Sequence, residues 1–297
     1  MDRPSSQPHP RPTPVRGRNP RRAASGALAL TLLSGLALSA CGGSNFIDEF
    51  VEDTICGVTN CKESETLKVE DISPRYKVTQ DNGVVKIDAR LSQSANLITV
   101  VRPSGSDRMS ASIGALRVDL TDISGRRSDY SAKIADASEE PVVTINFHRG
   151  AEVYPSTVTM PKPFSVQSPT GTPLIARSTG QFKVQMTQLP SSKMSLLVAA
   201  QCRRADGSSF ESKGEPMGVA LDGAAYRIST LDLDLALNRA SKGVDPATPN
   251  TSLVQSCDLN FQWTLNNVGS MAPGLNRYGS IVASRSAAHK ASYDARL

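Results

Sequence analysis

Histidine and aromatic residues are scarce in this 297-residue sequence, which holds three histidines, one tryptophan and 5% aromatic residues overall. General acid–base catalysis uses histidine more often than any other side chain, so the short supply leaves few arrangements for such chemistry. Sites that bind glycans usually need exposed aromatic rings, and few rings are at hand here. The composition therefore favours neither a histidine-dependent enzyme nor a lectin-like site.

The short motifs that mark common catalytic and cofactor sites are also missing. The sequence has no HExxH, no P-loop, no GxGxxG and no GxSxG elbow, and no serine stands three residues before a lysine. A catalytic triad would have to use His148 or His289. His148 has the strand phase opposite to Phe147, so we expect a solvated or turn-bonded side chain, and we expect His289 to lie near a frayed C-terminus. We predict no catalytic residue and no cofactor.

The formal charge of +5 belongs to the first 40 residues, which carry six arginines and one aspartate. The 33 basic and 28 acidic residues of the whole chain become 27 and 27 once that segment is set aside. A net charge of zero gives no electrostatic reason to expect binding to a phosphate backbone. We therefore predict no nucleic-acid partner.

Residues 1–40 have the parts of a secretory signal peptide. Four arginines between Arg16 and Arg22 precede the uncharged stretch Ala23–Ala40, which contains six leucines. A transmembrane anchor is the competing interpretation, but a spanning helix needs about 20 strongly apolar residues, and this stretch is shorter and diluted by Ala, Ser and Gly. The signal is complete from Val15 onward, so residues 1–15 are either part of it or upstream of the true start.

The signal ends in Leu38-Ser39-Ala40-Cys41, which resembles the lipobox of bacterial lipoproteins. The resemblance implies that the thiol of Cys41 receives a diacylglycerol and that cleavage follows between Ala40 and Cys41. By resemblance to the sorting of Gram-negative lipoproteins, Gly42 in place of aspartate favours the outer membrane. We therefore expect a protein of the cell envelope whose membrane partner is reached through a lipid anchor.

The cysteine count agrees with export to an oxidising compartment. Setting Cys41 aside for lipid leaves four cysteines, an even number. We predict a local Cys56–Cys61 disulfide and a long-range Cys202–Cys257 disulfide. Zinc is the alternative use of four cysteines, but the CxxC spacing of zinc sites is absent, so we predict no metal site.

The remainder of the chain divides into a tether and two β-domains. Residues 41–67 are polar and acidic and contain apolar residues at helical spacing, which predicts a tether with the local disulfide; a membrane-surface helix is the alternative, although its polar face would be acidic. Residues 68–155 and 156–297 are predicted to form one antiparallel, immunoglobulin-like β-sandwich domain each, the second with the long-range disulfide. A proline-rich joint at 154–163 separates them.

The strand prediction rests on alternation of apolar and polar residues between turns. Asn82-Gly83 is the strongest hairpin signal in the chain. Candidate strands are 76–80, 84–91, 97–101, 109–113, 115–120, 128–134 and 142–148 in the first domain, and segments around 182–186, 194–202, 231–237 and 257–265 in the second. Cys202 and Cys257 lie on the apolar faces of their strands beside Trp263, which predicts a disulfide across a sandwich core. No long helical pattern is found.

One pair of carboxylates has the spacing of possible calcium ligands. Asp232 and Asp234 share a face of the predicted strand Leu231–Leu237, and carboxylate oxygens suit calcium. The other ligands that calcium needs are not visible nearby. We therefore favour the alternative, in which this is the solvated face of the strand.

Several segments together resemble a group of uncharacterised lipoproteins of Gram-negative bacteria with tandem β-sandwich domains. The segments are Arg102–Ser112, Tyr130–Lys133, Val142–Arg149, Pro155–Phe164 and Gly279–Ser286. The resemblance spans most of residues 70–290, and it implies the fold but no activity. From residues and resemblance together we expect a non-enzymatic binding or structural module of the envelope; the alternative is a hydrolase acting on an envelope polymer.

Overall fold

The computed structural model describes residues 60–94, 96–242 and 252–297. All of these residues belong to the unit Gly43–Leu297. The predicted signal peptide, the lipidation site Cys41 and the cysteine Cys56 lie outside the described residues.

The regular secondary structure of the described chain is mostly β-strand, as the alternating sequence predicts. The strands are β1 (Lys62–Glu63), β2 (Ile72–Asp81), β3 (Val84–Gln93), β4 (Asn96–Arg102), β5 (Arg108–Ile113), β6 (Leu116–Asp119), β7 (Thr121–Asp122), β8 (Tyr130–Ala135), β9 (Val142–Arg149), β10 (Glu152–Thr159), β11 (Val166–Ser168), β12 (Leu174–Ala176), β13 (Gln181–Met186), β14 (Met194–Arg204), β15 (Ser209–Met217), β16 (Ala220–Asp222), β17 (Ala225–Ser229), β18 (Val254–Val268) and β19 (Ser280–Asp294). One α-helix, α1 (Thr230–Ser241), and three single 3-10 turns at Ser64–Thr66, Val69–Asp71 and Arg177–Thr179 complete this part of the chain.

The strands form one large sheet and two small ones. The large sheet, here the central sheet, has the order β1-β4-β3-β2-β19-β18-β14-β15, with β8 and β7 joined beside β3 and β12 joined beside β19. The N-terminal sheet has the order β10-β9-β5-β6, and the C-terminal sheet has the order β11-β13-β17-β16. The fold is therefore all-β, with the two small sheets formed by different halves of the chain.

Two hydrophobic cores lie along the central sheet. The first buries apolar residues of the central sheet (β2, β3, β8) with those of the N-terminal sheet (β5, β9, β10), and the second buries residues of β14 and β18 with those of β13, β17 and α1. Strand β19 supplies Ile281 and Ala283 to the first core and Ala291 and Tyr293 to the second. Period-two alternation keeps these four residues on one face. Each core therefore lies between part of the central sheet and one of the small sheets, and β19 contributes to both cores.

The halves are joined by parallel pairing, which the prediction of purely antiparallel domains did not include. Strand β19 pairs antiparallel with β18 and parallel with β2, from Ser280 opposite Arg75 to Ser284 opposite Thr79. Strands β1 with β4 and β12 with β19 are also parallel. The predicted boundary between residues 155 and 156 falls inside β10, and the division into separable domains stays a prediction.

The predicted hairpin turn at Asn82-Gly83 is confirmed, whereas the predicted strand Leu231–Leu237 is not. Asn82 and Gly83 have φ angles of 48° and 73°, as a type I′ hairpin turn requires, and they connect β2 to β3. The predicted strand Leu231–Leu237 is wrong, because this segment lies in α1. Leu233 and Leu237 are buried, one helical turn apart, and Ser229 caps the helix by accepting a hydrogen bond from the amide of Asp232 at 3.2 Å.

The predicted disulfide between Cys202 and Cys257 is present, with a Cα–Cα distance of 4.0 Å. The two cysteines are directly opposite each other on β14 and β18, both strands of the central sheet. The expectation that the bond crosses between two sheets is therefore wrong. Period-two phase places both side chains on the core face, but phase alone does not say whether the strands are neighbours or face each other.

We expect removal of this disulfide to destabilise the protein without rearranging the sheet. The bond closes a loop of 55 positions, and a loop of that size corresponds to about 4 kcal/mol in the chain-entropy model, less any native strain. The double variant Cys202→Ser, Cys257→Ser should lower the free energy of unfolding in urea by an amount of this order. Equal stability of the variant and the wild type would contradict the prediction.

Candidate functional site

His148 is buried beneath the outer surface of the N-terminal sheet, with 4% of its surface exposed. Its Nε2 atom lies 2.9 Å from the hydroxyl oxygen of Ser110 and 3.1 Å from a guanidinium nitrogen of Arg117. The prediction of a solvated or turn-bonded histidine is therefore wrong. Its strand phase does point away from the core, but neighbouring polar side chains cover it.

The contacts of His148 make it a poor general base. A guanidinium only donates hydrogen bonds, so the Arg117 contact requires Nε2 to accept and occupies its lone pair. Burial, and then the positive charges of Arg108 and Arg117, lower the pKa of His148, while Asp119 opposes the shift. Ser110 is fully buried, so its hydroxyl is not open to a substrate. The Ser110–His148 contact is thus explained as a satisfied polar pair inside the sheet.

His289 lies within a cluster of aromatic rings in the second core, and the expectation of a frayed terminus is wrong. Its ring stacks on Phe261 at a centroid distance of 4.9 Å and also lies against Phe182 and Trp263. The indole nitrogen of Trp263 donates a hydrogen bond to Nδ1 of His289 at 3.1 Å. Strand β19 continues to Asp294, so the histidine is held in a ladder rather than at a loose end.

The contacts of His289 hold it in the neutral form. Nδ1 must accept the indole proton, so the imidazole proton sits on Nε2, and that buried atom has no hydrogen-bond partner among the described residues. Burial lowers the pKa of His289 below its ordinary value. A positive charge here would lose the Trp263 hydrogen bond and sit among apolar rings. The side chain therefore acts as part of the core.

The carboxylates Asp232 and Asp234 do not form a shared site. Both belong to α1, where residues two apart point in different directions. Asp234 accepts hydrogen bonds from Arg177 at 2.8 Å and from the hydroxyl of Tyr293 at 2.5 Å. Within residues 60–94, 96–242 and 252–297, no group of three or more His, Cys, Asp or Glu side chains is arranged to hold a metal ion.

Sequence reasoning missed a basic surface on the outer side of the central sheet. We call it the basic face. Its members, all at outward positions of β2, β3 and β8, are Arg75, Lys77, Lys86, Arg90 and Lys133. Two carboxylates, Asp81 and Asp88, share these outward positions. The net charge of residues 41–297 is zero, so it gave no indication of a surface on which cations outnumber carboxylates.

The register of the strands brings like charges together on the basic face. Arg75 is directly opposite Arg90, and Lys86 is directly opposite Lys133. Like charges at directly opposite positions destabilise a sheet. The alternation of Lys and Arg with apolar residues was visible in the sequence, but the pairing of β8 with β3 was not, so this arrangement could not be predicted.

Two cations of the basic face have ion-pair partners. The ammonium of Lys86 lies 2.9 Å from Asp88, and the guanidinium of Arg90 lies 2.5 Å from Asp129. Arg75, Lys77 and Lys133 are exposed and form no ion pair with any residue that the structure describes. The basic face therefore presents three exposed cations without an ion pair to the described residues, although Lys77 is directly opposite Asp88 in the ladder.

A shallow recess of about 390 Å³ lies over the basic face. Strand residues including Arg75, Lys77, Lys86 and Asp88 form its floor, and Ile123 and Asp129 of the β7–β8 connection form its rim with Tyr130 of β8. Ile123 is 62% exposed, which places an apolar side chain beside the cations. The recess thus combines positive charge with apolar surface.

The other half of the central sheet carries two grooves of about 610 and 570 Å³ on its outer side. Both are lined by Gln201, Glu211 and Asp258. The larger also reaches Arg203 and Asp294, so its charges are mixed. Neither groove is lined by a histidine. The outer side of the sheet is therefore basic at the β3 end and mixed in charge at the β14 end.

The remaining predicted sites lie at or beyond the edge of the described chain. Cys61 is disulfide-bonded, but its predicted partner Cys56 is outside the described residues, so their pairing stays a prediction. Lipidation of Cys41 and cleavage after Ala40 stay predictions for the same reason. In the described part of the chain, no helix is long and apolar enough to cross a membrane.

Comparison with known proteins gives weak likenesses. No protein-family model matches the chain, and no curated protein matches it. A solved structure of chimeric titin Z1Z2 carrying an exogenous decorin peptide is 11% identical, with a TM-score of 0.20, over 72% of this chain and 95% of that one. The BSP domain of a biofilm-associated protein is 12% identical, with a TM-score of 0.21, over 76% of this chain and 30% of that one. Likenesses at these scores carry no argument about fold or function.

We expect His289 to make stability depend on pH near neutrality. Its folded-state pKa lies below the ordinary 6.5, so the unfolded chain takes up a proton first as the pH falls. Stability is then complete above about pH 6.5 and declines as the pH drops below that value. The variant His289→Gln should show a shallower decline between about pH 7 and pH 5 in urea-unfolding measurements. An unchanged slope would place the pH dependence in other groups.

Proposed function

We propose that this chain is a lipid-anchored lipoprotein of the cell envelope that acts as a non-enzymatic binding module. The observation that carries the binding role is the basic face, where five cations outnumber the nearby carboxylates Asp81, Asp88 and Asp129, and three of the cations have no ion pair with a described residue. Groups that are left unpaired at a cost to stability are commonly retained for a ligand or partner. In this proposal the two cores are β-sandwich modules that hold a broad sheet surface in place.

The histidines support a role without catalysis. His148 accepts a hydrogen bond from Arg117, and His289 accepts one from Trp263. Both therefore have an occupied lone pair where a general base would need a free one. The large grooves of the central sheet are lined by neither residue. The exposed cations without an ion pair to a described residue, Arg75, Lys77 and Lys133, lie on the basic face instead.

A hydrolase acting on an envelope polymer is the second candidate, because Ser110 and His148 are at hydrogen-bond distance. A nucleophilic serine needs an accessible hydroxyl and a base with a free lone pair. An active-site serine probe such as a fluorophosphonate would test it. Labelling of Ser110 that is lost in His148→Asn would favour the hydrolase, and we expect no labelling.

The sequence supports export of the protein and attachment of a lipid. The arginine-rich start, the uncharged leucine-containing stretch and the residues Leu38-Ser39-Ala40-Cys41 are the parts of a lipoprotein signal. The Cys202–Cys257 disulfide is in keeping with an oxidising compartment. We place the protein in the cell envelope, with the outer membrane favoured by Gly42.

We expect Cys41→Ala to release the protein from membranes or to leave the signal uncut. The readouts are incorporation of labelled palmitate and the distribution between membrane and soluble fractions. Cys61→Ala is the matched control, because it also removes one cysteine but leaves the lipobox intact; it should stay with the membrane. A wild-type protein that is soluble and carries no lipid would contradict the anchor.

A further inference from the structure

We propose that the basic face docks on the phosphate headgroups of an anionic lipid surface. The inference deepens the proposed binding role by naming its ligand, and it rests on the proposed lipid anchor for the choice of a membrane as the source of phosphate. The charge, the shape and the position of the basic face each support it.

The charge of the basic face is complementary to phosphate. Arg75, Lys77 and Lys133 have no ion-pair partner in the described ranges of the chain, and their side chains are exposed. The opposed pairs Arg75 with Arg90 and Lys86 with Lys133 repel each other within the sheet. A layer of negative charge outside the sheet would relieve this repulsion. Anionic lipid headgroups supply such a layer, and each Lys or Arg near it adds to binding.

The shape of the basic face suits a planar surface better than a deep ligand. The cations lie on three neighbouring strands, and strands in a sheet are about 4.8 Å apart, so the charges are spread over a broad area. The recess above them is shallow and open at the rim, where Ile123 is exposed. Long cationic side chains with an adjacent apolar residue are typical of proteins that rest at a membrane interface.

The basic face lies near the point where the described part of the chain begins. The described chain enters the fold through β1, which pairs with β4, and β4 pairs with β3 of the basic face. Cys41 precedes Lys62 by 21 residues, a length that reaches at most about 70 Å when extended. The first described strand therefore lies at the same end of the central sheet as the basic face. A lipid on Cys41 would tether the chain to the membrane and so raise the local concentration of the basic face near the headgroups.

The test is vesicle binding by the chain without its signal and lipid. Residues 42–297 contain the whole compact unit Gly43–Leu297. Binding is measured by co-sedimentation with vesicles of phosphatidylcholine mixed with phosphatidylglycerol, and with vesicles of phosphatidylcholine alone. We expect binding to the anionic vesicles only, and we expect it to weaken as salt is added, because exposed charges are screened.

The decisive variant removes the three unpaired cations: Arg75→Gln, Lys77→Gln and Lys133→Gln. We expect affinity for anionic vesicles to fall about 100-fold, the product of about 5-fold for each cation. The matched control makes the same charge change on the other half of the sheet: Arg203→Gln, Lys213→Gln and Lys290→Gln. These three residues are exposed, and the control should keep near wild-type affinity. Matching unfolding curves would show that both variants fold.

Three outcomes would overturn the proposal. Equal binding to both kinds of vesicle would show that headgroup charge is not recognised, and equal losses in the two triple variants would show that net charge alone is responsible. Binding of free inorganic polyphosphate without binding of anionic vesicles would assign the basic face to a soluble ligand. Because this chain carries no lipid, the result does not depend on the Cys41 experiment, and the anchor and the docking surface can fail separately.

Discussion

Strand β19 is the constraint on which the rest of the structure depends. It is fifteen residues long, and its inward side chains enter the first core at one end and the second core at the other. It pairs with β18 over thirteen residue pairs and with β2 over five. Without it, the β2–β3 and β14–β18 parts of the central sheet would have no shared partner. The central sheet runs through both cores because this strand is long enough to reach both.

The middle of β19 lies where the two cores meet, and Arg285 occupies that point. Its guanidinium donates to the carbonyl oxygens of Pro161 at 2.5 Å and Glu139 at 2.6 Å, and to the side-chain oxygen of Gln80. Each of these groups comes from a different segment of the chain. Arg285 is half-buried, and its hydrogen bonds hold these segments against β19. The contact between the two halves is thus specified by polar groups as well as by the β ladder.

The sequence allowed good prediction where structure is set locally, and failed where it depends on distant partners. The Asn82-Gly83 turn and the alternation of β14 and β18 are local properties, and both were predicted. The segment from Leu231 was misassigned because alternating leucines also place Leu233 and Leu237 one helical turn apart. The parallel pairing of β19 with β2 joins residues about 200 positions apart, and no local pattern encodes it.

The candidate site was missed for the same reason. The burial of His148 depends on Arg117 of the neighbouring hairpin, and the surroundings of His289 depend on Phe182 and Trp263 from other strands. The basic face needs three strands in register before its charges become neighbours. Residue types and spacing were enough to predict the Cys202–Cys257 bond, and they are the whole basis of the targeting signal, which stays a prediction. The surface that carries the proposed function appears only once the strands are paired.

We expect β19 to make the two cores into one cooperative unit. Trp263 is the only tryptophan of the chain and lies fully buried in the second core, so its fluorescence reports on that half. Hydrogen exchange at the buried amides of β3 and β9 reports on the first core. Urea unfolding followed by both probes should give one midpoint and one slope, as a two-state transition requires. Two separate midpoints would contradict the claim and would show that the halves fold as independent domains.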